Sequence, residues 1–140
     1  MADIRIDAPG VGAWIMERAS GHFHEGFDHT FSTHDGDQVL GGFALVDYLG
    51  GAMTVHMASE HLGWCPRQLL WMVFDYAFNH LKLHKLLAVV RHDNYHILAM
   101  NLRAGWNIEF VLRDVFPDGK HMVVLSMTRD SCRWFEKGAA

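Results

Sequence analysis

The first half of the chain alternates apolar and polar residues over short runs, which predicts β-strands. Asp35-Gly36 and the pair Gly50-Gly51 separate the later runs, and an Asp-Gly step is a strong hairpin signal. A Gly-rich stretch between the first runs contains one short helical pattern, over 12–18. The strand-like runs are Ile4 with Ile6, 27–33, 38–48 and 52–58. The last three of these runs predict an antiparallel meander.

After Pro66 the spacing of apolar residues changes to a helical period. Proline is tolerated in the first turn of a helix because its missing N–H has no intrahelical partner there. We therefore predict an amphipathic helix over 67–81. Its apolar stripe consists of Leu69, Leu70, Val73, Phe74, Ala77, Phe78 and Leu81.

The next segment predicts a further strand and a further helix. Lys85–Arg91 is a short apolar run, as expected for a central strand covered on both faces. Asn94 is a good N-cap for the helix that follows, and Gly105 is a good C-terminal stop.

The remaining pattern predicts a hairpin and completes the architecture. Strands over 107–115 and 120–128 flank the turn residues Pro117-Asp118-Gly119. We therefore predict one α+β domain over residues 1–140, with helices layered on a mixed sheet.

The composition is that of an ordinary globular protein: 140 residues, 50% apolar, 20% charged and a net charge of −4. This acidic balance argues against a general nucleic-acid binder, which normally has a basic face. Cys65 and Cys132 are too few for a disulfide framework. No apolar run approaches the roughly 18 residues of a membrane span, and the first residues lack secretory-signal features. We therefore expect a cytoplasmic protein that does not enter a membrane.

The strongest functional signal is the stretch 53–106, which runs strand, turn, helix, strand and Asn-capped helix. A strand that enters a helix through a tight turn leaves free backbone N–H groups at the helix N-terminus, and these suit a phosphate. A second strand and helix beside it would form a cleft long enough for an extended cofactor.

Several motifs in this stretch and after it resemble the GNAT superfamily of acyl-CoA-dependent N-acyltransferases. They are FDYAFNHLKLHKLLAVV, Asn94 placed eleven residues before Gly105 in AGW, FVLRD, and MTRDSCRWF near the end. The sequence looks most similar to the branch of ribosomal-protein-alanine acetyltransferases and their phage-encoded relatives.

This resemblance implies a mixed, mostly antiparallel sheet with helices on both faces and a splay between the fourth and fifth strands. It also implies acetyl-CoA as co-substrate, with pantetheine in the splay and pyrophosphate on the turn before the long helix. By position, Met57 and Ala58 would face the pantetheine, and Asn94 with Ile97 would touch the far side of the thioester. The implied pyrophosphate turn comprises His61, Leu62, Gly63, Trp64, Cys65, Arg67 and Gln68.

The sequence departs from the family pattern in two places. The turn HLGWCP keeps one glycine, Gly63, and places Trp64 and Pro66 where small residues are usual. Many relatives have a Tyr acid where this chain has Asn101, and the alanine branch often has Ser where this chain has Ile97. Neither usual acid is present.

The candidate catalytic residues are Glu60, His56 and Tyr48, which we place on or beside the strands that border the cleft, and Tyr95 at the start of the last helix. Each also has an ordinary structural explanation, as a hydrogen-bonded core histidine or a solvated turn residue. The near-neighbour histidine pairs do not share regular helical faces, and we predict no metal site.

We therefore predict an N-acetyltransferase that transfers acetyl directly to a primary amine. The acceptor is unknown, and a protein is among the candidates. The alternative is a catalytically inactive phage protein of the same fold, acting as a virion-associated or binding module. A third option is a relative that acts on a base amine. A homodimer is left open.

Overall fold

A computed structural model describes residues 3–19 and 21–135. Within these residues the chain forms one seven-stranded mixed sheet with three α-helices. The strands are β1 (Asp3–Ile6), β2 (His29–Asp35), β3 (Gln38–Val46), β4 (Ala52–Ser59), β5 (Lys85–Arg91), β6 (Asn107–Leu112) and β7 (Met122–Thr128). The helices are α1 (Val11–Arg18), α2 (Arg67–Asp75) and α3 (Tyr95–Arg103).

The strand order is β1-β2-β3-β4-β5-β7-β6, and every neighbouring pair is antiparallel except β4 with β5. The α2 crossover places β5 beside β4 in the parallel direction. The predicted fold class, including the antiparallel meander β2-β3-β4, is therefore confirmed.

Helices pack on both faces of the sheet. Successive side chains of β3 point to opposite faces, so they belong to two different layers of the core. Phe43 and Leu45 point into the main core, which α2 closes with Leu69, Val73 and Phe74 and to which α3 adds partly buried residues. Ala44 and Val46 point to the other face, where they pack with Val11 and Ile15 of α1. We call these the α3 face and the α1 face of the sheet.

Some predicted boundaries differ from the structure. β3 ends at Val46 rather than at residue 48, because Asp47 adopts a left-handed conformation with φ 58°. The predicted long helix changes character after Asp75, since Tyr76–His80 form a π-helical turn in which the N–H of Leu81 bonds to the carbonyl of Tyr76.

The prediction that β5 is covered on both faces is wrong in part. Its α3-face residues Leu86, Ala88 and Val90 are buried, whereas the alternate residues on the α1 face are only half-buried. The structure leaves this side of β5 less covered because α1 packs against β2, β3 and β4 rather than against β5.

Asn94 caps α3 as predicted, since its side chain accepts a bond from the N–H of Ile97. Gly105 follows the helix with φ 105°, a conformation that costs glycine little.

Replacing Asn94 by Ala should lower the free energy of unfolding by about 1 kcal/mol, because the first turn of α3 loses its acceptor. Urea denaturation without ligand measures the change. Asn107→Ala at the exposed start of β6 is the matched control and should cost less than about 0.5 kcal/mol. Equal losses in both variants would contradict the capping role.

Candidate functional site: a cleft between β4 and β5

The fourth and fifth strands pair only at their first residues. The paired positions are Ala52 with Lys85, Met53 with Leu86, and Thr54 with Leu87. Beyond them β4 continues to Ser59 and β5 to Arg91 without facing each other. The splay expected from the resemblance is therefore present.

The gap between the strands opens into a cleft of about 380 Å³ that passes from one face of the sheet to the other. On the α3 face it is lined by Val55, Met57, Ala88, Val90, Asn94, Ile97 and Asn101. On the α1 face it is lined by Arg18, Ala19, His56, Val89, Arg91, Phe116 and Met122. A ligand in the gap could therefore be reached from both faces of the sheet.

The free backbone edge of β4 faces the gap. The N–H of Glu60 bonds to the carbonyl of Leu40, so the alternate residues Ala58 and His56 use their backbone groups toward β3. The N–H and C=O of Met57 then point toward β5, beyond the last paired position. An extended ligand could continue the ladder at this point.

The α3 wall of the cleft is built by one stripe of the helix. Asn94, Ile97 and Asn101 are three and four residues apart and so lie on one side of α3. Asn101 is the one buried residue of the helix, with 3% of its surface exposed.

The α1 wall contains His56, whose partner across the ladder is Ala44 of the α1 layer. A Cβ at Gly21 would lie 3.0 Å from the imidazole Nε2, so the segment after α1 runs directly against the ring. Burial lowers the pKa of His56 below its ordinary value of 6.5, and the charge of Asp47 opposes this only in part. The ring is therefore mainly neutral at pH 7 and able to accept a proton.

Two arginines stand at the α1 mouth of the cleft, each held by carboxylates and an aromatic ring. Nη2 of Arg18 lies 2.7 Å from Oε1 of Glu60, and its guanidinium carbon lies 3.8 Å from the centre of the Trp14 ring. These contacts hold the Arg18 side chain at the border of the cleft.

Arg91 occupies the opposite border. It contacts Asp93 and Asp118 at 3.2 and 2.8 Å, with its guanidinium over the Phe116 ring. Hydrogen bonds from Arg91 lower the pKa of both carboxyl groups. The net charge of the mouth is therefore small despite its two arginines.

The turn between β4 and α2 is shaped by Trp64. Its indole packs over Gly41 and contacts the Phe43 ring at 5.1 Å, while Thr33 Oγ1 donates to its carbonyl. Trp64 therefore covers the neighbouring strand and does not fill the cleft. Gly63 has φ 76°, which lets the chain reverse before the helix.

The N-terminus of α2 lacks a side-chain cap. Pro66 occupies the cap position in an extended conformation, and no acidic residue lies in the first turn. Arg67 extends from this end toward the Trp134 ring, 5.9 Å away. Burial raises the pKa of the Cys65 thiol to about 11, so Cys65 is not a nucleophile at neutral pH.

Of the sequence-predicted residues, Met57, Asn94, Ile97 and His56 meet in the cleft. Ala58 does not line it: it lies on the same face of β4 as His56, but its side chain packs against the α1 layer. The turn residues also lie outside its lining: Leu62 is fully exposed and His61 is 3.0 Å from the Gln38 amide.

The other predicted catalytic side chains are also outside the lining. Tyr48 follows β3 at the closed end of the gap and is 58% exposed. Tyr95 points to solvent with 74% exposed. Glu60 borders the cleft only through its ion pair with Arg18. Among these three, none reaches the gap directly.

Sequence reasoning missed Arg18, Arg91, Phe116 and Met122 as lining residues. These four come from α1, β5, the β6–β7 connection and β7, so only the fold brings them together. The sequence offered one signal for Arg91, because a charged residue at the end of an apolar strand faces either solvent or a functional site.

The described residues place no group of three or more His, Cys, Asp or Glu side chains where they could hold a metal ion. In the same part of the chain, no helix combines the length and apolar character needed to cross a membrane.

Comparisons with known proteins identify the fold. No family model and no curated protein matches the sequence. Among solved structures, spermidine N-acetyltransferase from Vibrio cholerae in complex with CoA and spermine matches with a TM-score of 0.70 at 18% identity, over 93% of this chain and 96% of that chain. The chain has the GNAT acetyltransferase fold.

Other solved GNAT structures agree. IAA acetyltransferase from Bacillus cereus matches with a TM-score of 0.67 at 17% identity, over 91% of this chain and 99% of that one. Spermidine/spermine N-acetyltransferase SpeG from Vibrio cholerae in complex with manganese ions matches with a TM-score of 0.68 at 18% identity, over 91% of this chain and 92% of that chain. The narrower relation to the alanine branch and to phage proteins stays a prediction.

The contact between Gly41 and Trp64 gives a test of how the turn is held. A Cβ at Gly41 would lie 2.6 Å from the indole carbons, so Gly41→Ala should lower the unfolding free energy by about 1–3 kcal/mol. In a Trp64→Ala background the same substitution should be nearly neutral. Urea denaturation of the four proteins measures this coupling. An equal loss in both backgrounds would mean that the indole does not hold the turn.

Proposed function

We propose that the protein is an N-acetyltransferase that moves the acetyl group of acetyl-CoA directly to a primary amine. The observation that carries this proposal is the open gap in which β4 presents the free N–H and C=O of Met57. A pantetheine amide can bond to these groups as a missing strand would. The walls of the gap are largely apolar, which suits the alkyl part of the arm.

In this proposal the two faces of the cleft have different tasks. Acetyl-CoA enters from the α3 face, past Asn94, Ile97 and Asn101. The amine enters from the α1 face, past His56 and Arg18. The two reactants then meet between the strands, and this alignment alone can supply much of the acceleration.

His56 is the proposed base. A primary amine has a pKa of about 7.7–8.0 at a protein N-terminus and about 10.4 in lysine, so at pH 7 it reaches the cleft mainly as an ammonium ion. It must lose a proton before its nitrogen can attack the thioester carbon. The neutral imidazole on the amine side of the gap is placed to take that proton. Glu60, Tyr48 and Tyr95 have no comparable position.

The diphosphate of CoA is proposed to bind at the turn before α2. The first N–H groups of an α-helix have no intrahelical acceptor and attract anions. Since Pro66 lacks an N–H, the donors here are those of Arg67 and Gln68. The Arg67 guanidinium is exposed beside them and can donate further charge-assisted hydrogen bonds to the phosphate.

The acceptor is proposed to differ from a polyamine. Spermine is bound in one of the matching structures. A polycation would be held by free carboxylates, yet the described lining residues include none, and the nearest ones, Glu60, Asp93 and Asp118, are already paired with Arg18 and Arg91. A protein N-terminus or a small amine without further positive charge fits this wall better.

The sheet edge offers a candidate surface for a homodimer. β6 is an edge strand whose Ile108, Phe110 and Val111 are about half exposed, which offers one surface for a homodimer. The inactive binding module gains no support from the cleft, since Trp64 leaves the gap open.

The proposal is tested first by binding. Acetyl-CoA at about 100 times its Kd should raise the unfolding free energy by about 2.7 kcal/mol. Arg67→Ala should raise the KM for acetyl-CoA about tenfold, the equivalent of ~1.4 kcal/mol for one charged contact. The KM for the acceptor should stay unchanged. Thermal unfolding and steady-state kinetics measure these values.

Arg5→Ala on β1, far from the cleft, is the matched control and should leave both KM values unchanged. Absence of any thermal shift at millimolar acetyl-CoA would reject the enzyme and leave the inactive module.

The role of His56 predicts a pH profile. Since burial lowers its pKa, kcat/KM should rise with pH to a plateau, with a midpoint below 6.5. His56→Asn should abolish this rise of kcat/KM with pH and slow turnover by about 10²–10⁴-fold. His84→Asn, exposed at the closed end of the gap, should keep the wild-type profile. If kcat/KM of His56→Asn still rises with pH in the same way, another group accepts the proton of the amine.

A further inference from the structure

The α3 helix buries one side chain completely, and that side chain is polar. Asn101 is 3% exposed, whereas the helix's apolar residues Ile97 and Leu98 are only partly buried. Helices normally bury apolar residues, and a buried amide normally has hydrogen-bond partners. The choice of residue at this position therefore needs an explanation.

The Asn101 side chain makes no hydrogen bond to any other residue that the structure describes. Its backbone carbonyl accepts from the N–H of Trp106, but Oδ1 and Nδ2 have no such contact. These two atoms are not among the fully enclosed polar atoms of the described residues, so the amide keeps some surface open to the cleft that it lines. A polar group that faces the cleft without a protein partner is free to bond to a ligand there.

Asn101 lines the cleft on the proposed thioester side. It lies on the same stripe of α3 as Asn94 and Ile97, seven and four residues earlier. Its amide is therefore available to a ligand in the gap and to nothing else nearby.

The cleft also lacks an acid that could protonate a leaving thiolate on this side. Among its described lining residues the ionisable groups are Arg18, His56 and Arg91, all on the α1 face, and there is no Tyr, Cys, Lys, Asp or Glu. A thiolate that forms on the α3 face meets a single polar side chain deep in the cleft.

We propose that Nδ2 of Asn101 donates a hydrogen bond to the thioester sulfur and to the thiolate that leaves. This inference rests on the proposed acetyl transfer. The amine nitrogen bonds to the acetyl carbon, the carbon–sulfur bond breaks, and its electron pair stays on sulfur. Before the attack, the ammonium form of the amine gives one proton to His56, which releases it to solvent; the same imidazole then accepts the second proton, which the nitrogen loses as the amide forms. Asn101 transfers no proton, so CoA departs as a thiolate and takes a proton from solvent.

A hydrogen bond that strengthens as negative charge develops on sulfur accelerates the step, and the Asn101 amide does this without changing its protonation state. The same hydrogen bond favours the thiolate of bound CoA over its thiol. It therefore has a signature in the binary complex with CoA, where no turnover occurs.

The test compares wild type with Asn101→Leu, which removes the donor and keeps similar volume. We expect kcat to fall about 10²-fold with little change in the KM for acetyl-CoA. In the binary complex, thiolate absorbance in the ultraviolet should report a pKa of bound CoA below that of free CoA. Asn101→Leu should raise that pKa by about one pH unit.

Stability provides an independent readout. Because an unpaired amide is replaced by an apolar side chain, Asn101→Leu should unfold at the same temperature as wild type or higher. Asn101→Asp should be slow at neutral pH, where its carboxylate repels the thiolate, and should raise the thiol pKa of bound CoA at least as much as Asn101→Leu does. Asn107→Leu on exposed β6 is the matched control and should change neither kcat nor the thiol pKa.

The outcomes separate the two proposals. If wild type binds and turns over acetyl-CoA, but Asn101→Leu keeps both kcat and the thiol pKa, the role of Asn101 is rejected and acetyl transfer stands. A large fall in unfolding temperature would make Asn101 structural and also reject it. If wild type does not bind CoA at all, the proposed function fails and this inference fails with it.

Discussion

The site depends on the loss of pairing between β4 and β5 after Thr54 and Leu87. Each strand remains bonded on its other side, β4 to β3 as far as Ser59 and β5 to β7 along its whole length. The two walls are therefore each held by a ladder on the side away from the gap. Unpaired strand edges are costly when buried away from water, so an open gap of this kind favours a ligand that supplies backbone-like partners.

Much of the fold was predictable because hydrophobic periodicity and turn chemistry agree along the chain. The helix cap at Asn94 and the strand Lys85–Arg91 follow from local sequence alone. The splay does not, since nothing in the residues of β4 distinguishes paired positions from open ones. It was expected only from the resemblance to GNAT proteins.

The site was less predictable than the fold, for a geometric reason. The positions of Met57 and His56 follow from strand alternation once β4 is known. Arg18 and Phe116 enter the cleft from segments that lie far apart in the sequence, so no local pattern marks them. The place of the Trp64 indole could not be predicted from local sequence either, since it packs over Gly41 of β3, a residue more than twenty positions earlier.

The two faces of the gap combine into one chemical environment. Apolar residues such as Val55, Ala88 and Val90 form much of the cleft wall, and a low local dielectric beside such residues strengthens polar contacts. His56 and Asn101 line the same small volume from opposite faces, and we propose that the one accepts a proton and the other donates a hydrogen bond. Burial lowers the pKa of the imidazole, whereas the amide, which bonds to no other described residue, is left for a ligand in the gap. The two proposed roles therefore depend on the same opening between the strands.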